Sequence, residues 1–60
     1  MKRARQWVTP AELAEELGKS VTTLQNWRTR GDGPPWYNLG GVRYDRADID
    51  KWYEANKHVA

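Results

Sequence analysis

Three residues, Gly18-Lys19-Ser20, are all that separate two segments that each carry helix-start and helix-stop signals. Thr9-Pro10-Ala11-Glu12 has the order of a helix start. Thr9 suits the N-cap, Pro10 the first helical position, and Glu12 the third, which completes a capping box. Val8 and Leu13 stand at the positions of a hydrophobic staple. Leu13, Ala14 and Leu17 then form an apolar stripe, with Glu12, Glu15 and Glu16 turned outward. Gly18 can take the left-handed conformation that ends the helix. Ser20 suits the next N-cap. Leu24 and Trp27 face inward, with Ser20 and Gly31 on the same side, while Thr22, Gln25, Asn26 and Thr29 lie on the other. Gly31 ends this second helix, and the Gly and Pro residues up to Pro35 forbid its continuation. Thr22 and Thr23 are mediocre helix formers, so the helix depends on tertiary packing. Two helices joined this tightly have the spacing of a helix-turn-helix, whose second helix lies in a DNA groove.

The stretch from Trp36 to Asp45 reads as two short strands around a tight Gly40-Gly41 turn. Tyr37 and Leu39 alternate onto one face, and Val42 and Tyr44 share a face across the turn. Asp45 suits the N-cap of a third helix, with Asp48 at its third position as a weaker capping box. Tyr44 and Ile49 occupy staple positions again, and Ile49, Trp52 and Tyr53 make the apolar face. The expected fold is mainly α, a winged helix-turn-helix: helix-turn-helix, two-stranded wing, third helix. Residues 1–6 read as a basic flexible tail, 7–56 as the domain, and 57–60 as a frayed end. Sixty residues allow one small core. There is no cysteine to staple it, so four Trp and three Tyr must supply much of the buried area. Trp36 and Tyr37 read as cover for that core.

Charge is unevenly spread around the net +2. Residues 1–9 and 19–31 each carry +3, and residues 10–18 carry −3. One basic face suggests a polyanionic partner, although a mixed solvated surface would read the same way. No apolar run approaches a membrane span, and the basic start lacks the apolar core of a secretory signal. The chain therefore reads as cytoplasmic, without membrane association. Neither an enzyme nor a metal or cofactor site is expected. The single histidine, His58, is near the end, no Gly-rich phosphate-cradling loop occurs, since the Gly40-Gly41 turn lacks the Gly-Lys-Ser/Thr element, and no paired carboxylates mark a cleft.

The second helix carries what a DNA groove requires. Gln25 and Asn26 can each bond adenine in bidentate fashion. Arg28 and Arg30 can reach phosphate or guanine, and equally suit the C-terminal helix dipole. Ser20, Thr22 and Thr23 stand at the N-terminal end, where backbone N–H groups favour phosphate. Ser20 is first of all a cap, and Thr23 is as well placed to pack on the first helix. Val21 could meet a thymine methyl. In the wing, Gly41, Val42 and Arg43 form the candidate contact, with Arg43 suited to a narrow minor groove. Lys2, Arg3 and Arg5 could form a minor-groove arm.

The stretches "VTPAELAEELGKS" and "GPPWYNLGGVRYDRADIDKW", with the spacing between them, resemble the small winged-helix DNA-binding domains of the MerR superfamily, in the excisionase and AlpA-like branch. The resemblance covers about residues 7–53, and the free-standing chain is most similar to phage excisionases, particularly those of mycobacteriophages. It implies a recombination directionality factor that binds double-stranded DNA in an attachment-site region, bends it, and helps a tyrosine integrase excise a prophage. The implied contacts are Ser20–Arg30 in the major groove and Gly40–Arg43 in a flanking minor groove. The family often has a basic residue where Val21 and Asn38 stand here, which weakens the case for contacts from those two. An AlpA-like transcriptional regulator would share every contact. A protein-interaction module that never touches DNA is the reading of another class. A single module covers only ~600–1,000 Å² of protein surface on DNA. With no heptad pattern, the expectation is a monomer in solution that assembles cooperatively, side by side, on adjacent sites.

Overall fold

The computed structural model describes residues 5–58. The first strand, β1 (Trp7–Val8), leads into α1 (Pro10–Leu17) and then α2 (Val21–Arg30). A hairpin of β2 (Tyr37–Asn38) and β3 (Val42–Asp45) follows, then α3 (Arg46–Ala55). The three strands form one antiparallel sheet in the order β1-β3-β2. This is a mainly helical winged helix-turn-helix.

Local chemistry sets the helix ends. The Thr9 side chain accepts from the Glu12 backbone N–H at 3.1 Å, and Glu12 accepts from the Thr9 N–H at 2.9 Å, so both halves of the capping box form. These bonds hold the Glu12 carboxyl below the usual carboxylate range, the Thr9 backbone N–H foremost and the Arg43 charge adding a smaller part. Gly18 ends α1 in the left-handed conformation, and the chain turns to Ser20, whose hydroxyl accepts from the Thr23 N–H at 3.1 Å. The turn between the helices is thus the three residues expected.

Leu13, Ala14, Leu24, Tyr44 and Ile49 form the buried core, and Val8, Leu17, Trp27 and Val42 pack against it. Each of α1, α2, β3 and α3 contributes to this cluster, so the helix-turn-helix, the wing and α3 share one core. Trp27 also meets Trp52 of α3, with ring centroids 5.8 Å apart.

Several elements differ from expectation. β1 stands where the sequence offers only a staple residue, Val8, before α1. It pairs with β3, Trp7 opposite Asp45 and Val8 opposite Tyr44. The wing turn is a three-residue loop, Leu39-Gly40-Gly41, because Asn38 pairs with Val42. Leu39 is therefore lifted out of the strand and is 53% exposed. Trp36 is 43% exposed rather than covering the core. Asp48 does not close a second capping box. Its carboxylate accepts from the Tyr37 hydroxyl at 3.2 Å, while Asp45 caps α3 alone through the Ala47 N–H. Tyr53 leaves the core and donates its hydroxyl to Glu16.

Candidate nucleic-acid interface

Helix α2 presents two sides. Leu24 is fully buried and Trp27 half-buried, while Ser20, Val21, Thr22, Gln25, Asn26, Thr29 and Arg30 are exposed. The 3.6-residue period produces this split, because the inward pair lies three apart. The side chains of Thr22, Gln25 and Asn26 make no hydrogen bond among the described residues. Their donors and acceptors face outward on consecutive turns.

The remaining candidates on α2 are differently engaged. Ser20 and Thr23 share a hydroxyl contact at 3.0 Å besides the cap, so both are committed first to starting the helix. Thr29 bonds back to the Gln25 carbonyl at 3.1 Å. Arg30 pairs with Asp32 at 3.1 Å, but both side chains are about 60% exposed, and a surface pair of this kind is weak and readily exchanged for another anion. Arg28 behaves otherwise. It is half-buried, and its Nη1 donates to the Tyr44 hydroxyl at 2.8 Å. The guanidinium expected to face phosphate is turned toward β3.

In the wing, Val42 packs on the core, which leaves its backbone rather than its side chain for a groove. Arg43 is half-buried, stands opposite Tyr37 in the register and donates to the Val42 carbonyl at 2.7 Å. Gly41 adjoins it, and a Cβ there would meet the Arg43 guanidinium at 3.3 Å. Arg43 is thus placed at the base of the loop and folded along its own strand. The Asn38 side of β2 is exposed.

The basic tail is resolved into two parts. Lys2 and Arg3 lie outside the described residues. Arg5, grouped with them in a flexible tail, is instead tied to the sheet. Its Nη1 donates to Asp45 at 2.9 Å, and its guanidinium lies 5.5 Å from the Trp7 ring and 5.6 Å from the Tyr37 ring. Those two rings meet edge to face at 5.2 Å. The reason is local to β3. Asp45 is only 8% exposed, and one of its oxygens already caps α3, so its charge needs a cation close by. Gln6 is held too, since its carbonyl accepts from the Arg46 N–H at 2.9 Å.

The sequence offers Trp36 as cover for the core and Tyr44 as a staple residue, and gives no sign that both meet Arg28. The Arg28 guanidinium lies 5.9 Å from the Trp36 ring centroid. Neither contact has a short-range signature. No helix among the described residues is long and apolar enough to cross a membrane. No curated protein and no solved structure matches the chain. One family model does, described as a helix-turn-helix domain, over residues 7–57.

Proposed function

The chain belongs to the helix-turn-helix domain family, and because the second helix of such a motif suits a DNA groove, we propose that it is a sequence-specific, DNA-bending excisionase acting with a tyrosine integrase. The observation that carries the DNA reading is the free outward row of Thr22, Gln25 and Asn26 on α2. Unpaired amides can read base edges, and a surface that needed only solubility would not require them in register. Arg30 and the helix N-terminus at Ser20 add phosphate contacts, and Gly41–Arg43 add a minor-groove contact. Excision, bending and the integrase rest on the resemblance of residues 7–53 to the excisionase branch. The site of action is the cytoplasm, on DNA, with side-by-side assembly of monomers.

Gel shifts on a selected and a scrambled duplex test the contacts. Asn26→Ala is expected to lower preference by about 1–3 kcal/mol on the selected duplex alone. Arg30→Ala is expected to weaken both duplexes alike. Equal losses for Asn26→Ala on the two duplexes would remove its base-reading role. Reconstituted recombination with an integrase and attachment-site DNA tests the excision role. Binding without stimulated excision would favour an AlpA-like regulator. Affinity that stays flat with rising salt would favour a protein-interaction module.

A further inference from the structure

Tyr44 is 1% exposed, yet it carries a hydroxyl that needs a partner. Arg28 supplies it at 2.8 Å. The same guanidinium rests against Trp36, which immediately precedes β2, while Tyr44 lies on β3. One side chain from α2 therefore reaches β3 and the residue that leads into β2. Arginine suits this position because its planar head can donate at its edge while its face lies on an aromatic ring, which a lysine ammonium cannot do. The covalent link between α2 and β2 is the stretch from Gly31 to Trp36, which contains two glycines in the left-handed conformation. Pro34 and Pro35 stiffen that link and the core holds β3, so Arg28 adds to them a polar tie between α2 and the hairpin.

We propose that Arg28 is a positioning residue: it fixes the wing against the recognition helix, so that both meet one duplex, and neutralises no phosphate. This rests on the DNA-binding reading above. Two elements that engage the same rigid ligand bind it more tightly when their relative placement is already set. Loosening the contact costs affinity even though no contact to DNA is removed.

The probe is a short duplex selected from a random pool by the intact chain. Its binding is titrated across a range of salt concentrations for wild type, Arg28→Met, Tyr44→Phe and the double variant. Each single change is expected to weaken binding roughly tenfold, with the double variant no weaker than Arg28→Met alone. The slope of log affinity against log salt should stay at the wild-type value in all of them. A slope shallower by about one in Arg28→Met alone would mean a phosphate contact, and would overturn the proposal. Additive losses would overturn it as well. Trp36→Leu, at a half-exposed position, gives a second arm should Tyr44→Phe fold poorly. It is expected to weaken binding with unchanged slope and to add nothing to Arg28→Met, and a full additional loss would overturn the proposal. If wild type selects no duplex, the DNA reading fails and the positioning role with it. If wild type binds and the slope changes, only the positioning role fails.

Discussion

Gly33 holds a φ of +80°, and a methyl group there would stand 2.9 Å from Cε3 of Trp27. Both facts forbid a side chain, since the left-handed backbone is strained for other residues and the indole is itself packed on the core. Gly33→Ala is therefore expected to destabilise the domain by about 2 kcal/mol, read as a lowered midpoint of thermal unfolding. An unchanged midpoint would mean that the loop can relax away from Trp27. At this scale the sequence was legible wherever a residue's role depends on near neighbours. The outward placement of Gln25 and Asn26 follows from helical period alone. Arg5 and Arg28 were not legible in this way. Their partners lie 40 and 16 residues away, and a basic side chain looks the same in sequence whether it serves a phosphate, a buried carboxylate or a tyrosine hydroxyl.

The same distinction separates the elements. α1 and α2 were readable to their ends because caps are local: Thr9, Gly18, Ser20 and Gly31 each act within a few residues of the turn they close. Thr9→Ala removes the acceptor for the Glu12 N–H and one side of the box, and is expected to cost about 1 kcal/mol in chemical denaturation. A Thr9→Ser variant should recover most of that, because the hydroxyl is what caps. β1 was unreadable as a strand. Two residues carry no alternation, and its existence depends on a β3 partner nearly forty positions downstream. The wing was legible as a hairpin but not in its register. Gly-Gly marked a turn, yet the pairing of Asn38 with Val42 places Leu39 inside the loop as well. A one-residue difference of this kind moves a side chain out of the sheet altogether.

Across the whole molecule, α1 and α3 are joined by charge as well as by core. Arg46 grips Glu16 with both terminal nitrogens at 2.8 and 3.0 Å, and also holds Asp50. Tyr53 donates to the same Glu16 carboxylate. Arg46 foremost, and then Tyr53, hold the Glu16 carboxyl down to about 2. The Tyr53 hydroxyl is pushed up in turn, chiefly by its bond to Glu16. A carboxyl lowered in the folded state contributes stability above its unfolded value, and that contribution is lost as pH falls through the folded one. Wild type should therefore lose stability between about pH 4.5 and pH 2. Glu16→Gln should flatten part of that slope and start lower at neutral pH, by about 1 kcal/mol or less because solvent screens the pair. Thermal midpoints across that pH range check both statements, and identical profiles would show that the network adds nothing.

Since β1 pairs along one side of β3, trimming the domain for expression has a limit. A version beginning at Thr9 would leave the backbone donors and acceptors of β3 bare on that side, ready to template a foreign strand. It would also strand the half-used Asp45 carboxylate without its cation. Such a truncation is expected to self-associate in sedimentation where a version beginning before Arg5 stays monodisperse. The usable N-terminal boundary is thus set by the sheet, several residues ahead of the first helix.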